Sequence, residues 1–259
     1  MNAPARGPLR GTGIVITRPA KQAAALAQQV AALGATPLVF PAIVILPPAD
    51  HEPLERARRE LGRYDHAIFV SVNAVEHAFA HPLAWPERVH AFAPGPGTAA
   101  ALDNAGVLGV HLPATTMDSE GLLALPELAD VAGKRIAIFR GSGGRELLGE
   151  TLTARGAQVD RIECYRRAKP ASGAAGLIEA WRETRVDAVS ITSSEGLDNL
   201  WDMLDDPTRA RFRHTATFVP HVRIAKRARA LALKHVVVTA PTDAGLLASL
   251  LEYFADPGH

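Results

Sequence analysis

Arginine, serine, threonine and glycine gather in this chain at one recurring kind of place, directly after short apolar runs. The segments are Thr17-Arg18-Pro19, Ser71-Val72-Asn73, Pro94-Gly95-Pro96-Gly97-Thr98, Arg140-Gly141-Ser142-Gly143-Gly144-Arg145, Thr192-Ser193-Ser194-Glu195-Gly196, Pro220-His221-Val222-Arg223 and Thr239-Ala240-Pro241-Thr242. Asp and Glu are scarce in them. Guanidinium groups, hydroxyls and backbone N–H groups at helix starts all bind anions. The chemistry expected of these segments is therefore recognition of an anionic small molecule. No nucleophile elbow appears. Gly141 to Glu146 resembles a phosphate cradle, but lacks both the Gly-Lys-Ser/Thr ending of a P-loop and the Gly spacing of a dinucleotide fingerprint.

Plainer readings stand beside these. Ser71 and Ser193 read equally well as helix N-caps. His77 and His81 have the four-residue spacing of zinc ligands, but without a Glu between them and with Pro82 following they read as a solvated helix end. Asp205-Asp206-Pro207 reads as a turn, and Lys226, Arg227 and Arg229 as a solvated helix face. Cys164 lies beside Arg166 and Arg167, yet a buried structural thiol fits it better than a reactive one. As the single cysteine it excludes a disulfide framework and a cysteine-based metal site. No metal site is expected. Tyr165 falls in an extended segment, where its hydroxyl would either face a cleft or pack on a lobe.

The elements that must position these residues come twice. A shift of 122 residues lays Gly11, Ile14, Ile16, Arg18, Leu26, Ala32, Gly34 and Ala35 on Gly133, Ile136, Ile138, Arg140, Leu148, Ala154, Gly156 and Ala157, and also Asp65 on Asp187 and Ser71 on Ser193. A shift of 126 lays Phe92, Pro94, Ala99, Val110 and Ala114 on Phe218, Pro220, Ala225, Val236 and Ala240. Such ordered self-similarity marks a duplicated unit. Within it, Ile14–Ile16, Ala67–Val70, Ala137–Phe139 and Val236–Val238 read as buried strands, and Gln22–Leu33 as a helix ended by Gly34. Strands alternating with helices imply parallel sheets covered on both faces, hence two similar α/β lobes. Phe40 to Pro48 and Ile162 to Pro170 read as extended connectors. In parallel sheets ligands bind past the carboxyl ends of the strands, so two such faces with a cleft between them would suit a polyanion.

Composition sets the bounds. The chain has 259 residues, 47% apolar and 21% charged, with a formal net charge of +1. That is ordinary globular composition, large enough for a core without disulfides or metals. Near-neutral charge argues against a general nucleic-acid binder. No apolar stretch is long enough for a signal peptide or membrane span, so a cytoplasmic location is expected.

Val15-Ile-Thr-Arg-Pro19 with Leu33-Gly-Ala35, Ile68-Phe-Val-Ser-Val-Asn-Ala-Val75, Phe139-Arg-Gly-Ser-Gly-Gly-Arg-Glu-Leu-Leu148, Cys164-Tyr-Arg-Arg167, Ile191-Thr-Ser-Ser-Glu-Gly196 and Gly245-Leu-Leu-Ala-Ser-Leu250 together resemble the uroporphyrinogen-III synthase family, in order and over nearly the whole chain. The resemblance implies one Rossmann-like or flavodoxin-like lobe from residues 1–40 and 169–259, a second from 47–161, and linker strands at 41–46 and 162–168. It implies a lyase, a monomer without metal or cofactor, that closes hydroxymethylbilane, a linear tetrapyrrole with eight carboxylates, with its terminal ring inverted and loss of water. Hand-over from hydroxymethylbilane synthase belongs to the same picture. By resemblance Tyr165 is the catalytic candidate. Thr98, Ser71 and Ser193 are expected near substrate, with Thr17, Asn73, Gly95, Gly97, Gly141, Gly143 and Ser194 around it, and Arg18, Arg140 and Arg145 pairing carboxylates. Pro220 to Ala225 departs from the family's Gly and Thr pattern, so His221 and Arg223 are expected to supply side-chain contacts there. Two other classes remain at this point: a two-lobe sensor of an anionic metabolite, and a glycosyltransferase with two Rossmann-like lobes.

Overall fold

In the computed structural model, residues 7–256 are described. Residues 1–6 and 257–259, the ends of the first expected lobe, lie outside them. The elements run in the order β1 (Gly13–Ile16), α1 (Ala20–Ala32), β2 (Thr36–Val39), β3 (Val44–Leu46), α2 (Glu52–Arg59), β4 (His66–Phe69), α3 (Val72–Ala78), β5 (His90–Phe92), α4 (Pro96–Asn104) and α5 (Ser119–Leu123). They continue with β6 (Arg135–Gly141), α6 (Leu147–Ala154), β7 (Gln158–Ala168), α7 (Ala175–Arg182), β8 (Ala188–Ser190), α8 (Ser194–Met203), α9 (Asp206–Phe212), β9 (Ala216–Val219), α10 (Val222–Ala230), β10 (Val236–Val238) and α11 (Asp243–Ala255). Contacts divide the chain into two units, Met1–Val44 with Ala168–His259, and Ile45–Arg167.

Each unit holds one five-stranded sheet, ordered β10-β9-β8-β1-β2 in the first and β3-β7-β6-β4-β5 in the second. The registered neighbours are parallel. The central strands of each sheet are buried on both faces, and their sequences show why. In the first unit Ile14 and Ile16 point into one apolar layer with Phe218 and Leu250, while Val15 points into the other with Trp181, Val189 and Phe212. In the second, Phe69 and Phe139 pack on one side and Ile68, Ile136 and Ile138 on the other. A strand buried on both faces has no polar side to alternate, so its sequence is a continuous apolar run.

The central strand pair of each sheet joins the two halves of the repeat. Val15 registers with Val189 in the first unit, and the repeat-equivalent residues Ala67 and Ala137 register in the second. The aspartates that the repeat aligns do one job in both. Asp187 Oδ2 accepts the Gly13 amide at 2.7 Å, and Asp65 Oδ2 accepts the Arg135 amide at 2.9 Å. Each fastens the amino end of a strand from the other half. Gly34 and Gly156, also aligned, both have positive φ, at 92° and 88°. Each follows a helix end, where a left-handed residue is best supplied by glycine. One expectation is corrected: Asp205-Asp206-Pro207 is a helix start, not a simple turn. Asp205 accepts the Thr208 amide at 2.9 Å, and Pro207 sits in the first turn of α9, where its missing N–H costs nothing.

Candidate active site

In the second unit Tyr165 lies on β7 and is only 2% exposed. Its hydroxyl is 3.1 Å from Ser71 Oγ, and its ring is stacked with that of His77, centroids 5.8 Å apart. Three local features put it there. Ser71 ends the β4 connection and caps α3, accepting the Ala74 amide at 3.2 Å. A register shift between Arg140 and Gly141 places Gly141 opposite Tyr165. Gly141 must lack a side chain, because a Cβ there would stand 2.6 Å from Tyr165 Cζ. The Ser142 amide then donates to the Tyr165 carbonyl at 2.7 Å.

Tyr165, Val70, Gly141, Gly143, Arg145 and Arg167 border a cavity of about 210 Å³. The glycine-rich loop above it is held by Arg140, whose side chain is 11% exposed. Its guanidinium donates to Glu146 at 2.8 Å, to the Gly141 carbonyl at 3.3 Å, and to the Gly143 carbonyl. Glu146 also pairs with Arg161 at 3.0 Å. Gly143 has φ of 71°, the left-handed region that lets the loop turn back on Arg140. Arg140 is thus occupied by its own loop, and Arg145 is paired with Glu120.

The remaining second-unit residues line up along the same sheet edge. Asn73 is half-buried in the first turn of α3. Gly95 is the N-cap of α4, and Gly97 is exposed in its first turn beside Val72. Thr98 is buried on the same helix face as Leu102. Cys164, next to Tyr165 in sequence, is buried, and that burial pushes its thiol up to about 12. It stays protonated and inert at neutral pH.

In the first unit the corresponding edge borders a cavity of about 350 Å³. Thr17 is buried and its hydroxyl donates to the Ser190 carbonyl at 2.7 Å, tying β1 to β8. Arg18, on the cavity wall, is ion-paired with Asp243, the first residue of α11. Ser193 caps α8 through the Gly196 amide at 3.0 Å, the repeat counterpart of the Ser71 cap, and Ser194 begins the helix half-buried. His221 lines the cavity as the N-cap of α10. Arg223 is exposed in that helix's first turn. Among the described residues neither side chain makes a hydrogen bond or ion pair.

Sequence reasoning missed His77 against Tyr165, and Glu120, Glu146 and Asp243 as the partners of the arginines. Asp243 and Glu120 lie far along the chain from the arginines they hold, and Glu146, though six residues from Arg140, pairs with it across a glycine loop with no periodicity to mark it. Arg167 also borders the second-unit cavity. Lys226, Arg227 and Arg229 are exposed on α10, as expected of a solvated face. His77, expected with His81 as part of a solvated helix end, is instead half-buried against the Tyr165 ring, and among the described residues no three His, Cys, Asp or Glu side chains gather as a metal ion would need. No described helix is long and apolar enough to cross a membrane.

The model of the family described as "Uroporphyrinogen-III synthase HemD" matches residues 24–248. The uroporphyrinogen-III synthase of Salmonella typhimurium is 37% identical over 247 residues, covering 92% of this chain and 99% of its own. That of Escherichia coli is 35% identical over 244 residues, with the same coverages. A mutant uroporphyrinogen III synthase structure from Thermus thermophilus superposes with a TM-score of 0.62 at 20% identity, covering 94% of this chain and 98% of that one. The uroporphyrinogen-III synthetase of Helicobacter pylori gives 0.60 at 12% identity, covering 93% and 99%. Both structures share this fold. A family model spanning most of the sequence, and relatives matched along nearly their whole length, establish that this chain belongs to the uroporphyrinogen-III synthase family.

Proposed function

We propose that this enzyme of tetrapyrrole biosynthesis is a lyase that closes hydroxymethylbilane to uroporphyrinogen III, inverting the terminal pyrrole and releasing water. The observation that carries the reading is the 37% identity to a uroporphyrinogen-III synthase along 99% of that enzyme's length. The site chemistry agrees with it.

The reaction draws on the substrate's own electrons. An electron-rich pyrrole expels its hydroxymethyl oxygen as water once that oxygen gains a proton, leaving an azafulvene cation. Attack by the terminal ring's already substituted α-carbon forms one carbon–carbon bond. The bond from that carbon to its old methylene then breaks, releasing a second azafulvene cation, and the ring's free α-carbon captures that methylene before a proton is lost, so the ring ends inverted. No metal or cofactor is needed for these steps. The protein's part is to hold the chain so that the inverted junction forms before head-to-tail closure, which is catalysis by positioning and preorganised electrostatics.

In this reading the Tyr165 hydroxyl, on the wall of the second-unit cavity and held by Ser71, hydrogen-bonds the departing oxygen. Ser71 thereby links the α3 cap to the chemistry. Arg145 and Arg167 meet substrate carboxylates on that unit. Arg18, His221 and Arg223 meet others on the first unit, with backbone N–H groups near Gly95, Gly97, Ser193 and Ser194. Arg140 shapes the glycine loop instead of pairing with substrate, because its donors already serve Glu146, Gly141 and Gly143. Thr17 and Thr98 act through the fold, since both are buried. The enzyme works as a cytoplasmic monomer, receiving a short-lived substrate from the synthase that makes it.

The test supplies hydroxymethylbilane in situ, adds the purified chain, oxidises the products and separates the uroporphyrin isomers. Isomer III in excess is expected; isomer I alone, at the protein-free rate, would overturn the proposal.

A further inference from the structure

A carboxylate built into the wall of a site for a polycarboxylate opposes binding, yet the first unit has one, and in the second an acid pairs with an arginine of the cavity wall. In the first unit Asp243 occupies the guanidinium of Arg18, with side-chain exposures of 33% and 20%. Thr242 caps α11 through the Gly245 amide at 3.0 Å, fixing the turn that carries the acid. Both members of the pair face the cavity of about 350 Å³, together with Gln22, Thr192 and His221. In the second unit Glu120 occupies Arg145 beside the smaller cavity. Asp118 caps its helix in the same way, accepting the Gly121 amide at 2.9 Å. Both acids fall in the first turn of a helix and face an arginine on a post-strand segment.

Resting on the function proposed above, we infer that Asp243 is a positioning residue that serves as an internal stand-in for a substrate carboxylate on Arg18. The reason lies in what the reaction leaves unchanged. The carboxylates of the substrate all persist in the product, so contacts to them stabilise the two alike and do not lower the barrier. Unopposed, they would also retain the product. With Asp243 present, a carboxylate arrives by exchange and leaves by exchange, and Arg18 is held in an ordered pose in the empty site. Glu120 does the same for Arg145.

The test compares the intact chain with Asp243→Asn, Asp243→Glu and Glu120→Gln. The probe is uroporphyrin III, the oxidised product with the same carboxylates, titrated by its fluorescence at low and high salt. KM and kcat are measured in the coupled assay, and melting temperature reports folding. Asp243→Asn is expected to bind the porphyrin roughly three- to tenfold more tightly, because one like charge at contact distance is removed. KM should fall by a similar factor while kcat does not rise. The difference should shrink in high salt, where the Debye length is about 3 Å at 1 M, and Asp243→Glu should behave as the parent does. A folded Asp243→Asn with unchanged or weaker porphyrin binding would overturn the inference. If that variant does not fold, the Glu120→Gln arm decides in the same sense. Failure of the functional reading is separate: it would appear as no isomer III from the unmodified chain.

Discussion

A methyl group at position 141 would stand 2.6 Å from Tyr165 Cζ, 2.7 Å from Cε2 and 3.0 Å from the hydroxyl oxygen. Carbon atoms in contact prefer about 3.5–4.0 Å, so Gly141→Ala must push the ring back by roughly 1 Å or displace β6. The ring has little room to move: it is 2% exposed, stacked on His77 and packed in a core that includes Phe69 and Phe139. Overpacking of this kind costs about 1–3 kcal/mol, which corresponds to roughly 2–12 °C in melting temperature for a chain of this size. A retreat of about 1 Å would also stretch the 3.1 Å Ser71–Tyr165 contact beyond hydrogen-bond range. The variant should therefore lose kcat more than it changes KM. A double-mutant cycle isolates the cause. In a Tyr165→Leu background the atoms that clash are gone, so Gly141→Ala should cost less than about 0.5 kcal/mol there, leaving a coupling energy above about 0.5 kcal/mol. Equal costs in the two backgrounds, measured by urea unfolding, would show that no clash with the Tyr165 ring is involved.

Three further outcomes follow from the same geometry. Ser71→Ala and Ser193→Ala each remove an N-cap and should each cost about 0.5–2 kcal/mol in urea unfolding. Only the first also lowers kcat, since only Ser71 holds Tyr165. His66 is buried with an unpartnered Nδ1, and its pKa is lowered from 6.5, first by burial and then by His90. A depressed folded pKa means the unfolded chain binds the proton more readily, so stability should rise with pH through this window and fall as pH drops below 6.5. His66→Phe should flatten that slope in urea titrations between pH 7 and 5; an unchanged slope would show that other groups set it. Cys164, pushed up to about 12 by burial, should resist iodoacetamide at pH 8 in the native protein and react once unfolded; rapid native labelling would contradict its placement.

Much of this was legible in the sequence, and the repeat is the reason. Residues aligned by the 122-residue shift occupy matched places: Asp65 and Asp187 fasten strands, Ser71 and Ser193 cap helices, and Gly34 and Gly156 follow helix ends. Each role is local, set by one residue type at a chain reversal, so self-comparison finds it. The caps show equally well what self-comparison leaves open, because a hydroxyl after a strand has the same sequence signature whether it serves an amide, a ligand or both. The partners of the arginines were not legible. Arg18 meets Asp243 across most of the chain length, and Arg145 meets Glu120 through a fold contact. Electrostatic pairing has no period, so an arginine after a strand reads as a free anion binder until its neighbour is seen. The same holds for His66, His90 and His111. Their cluster brings together the first residues of β4 and β5 and an isolated bridge residue, with His90 and His111 nitrogens 3.4 Å apart and His111 tied to Glu127 at 3.1 Å.

If this chain directs ring closure to the inverted isomer, one titration reveals it. Hydroxymethylbilane is released at a fixed rate while the chain concentration is raised from zero, and the uroporphyrin isomers are separated after oxidation. Enzymic and spontaneous closure compete for one pool. The fraction of isomer III should therefore climb from near zero to near one, reaching half where the two rates match, and the Gly141→Ala and Ser71→Ala variants should need more protein to reach it. A product that stays isomer I at every concentration, from a folded chain, would show that the chain does not direct the closure.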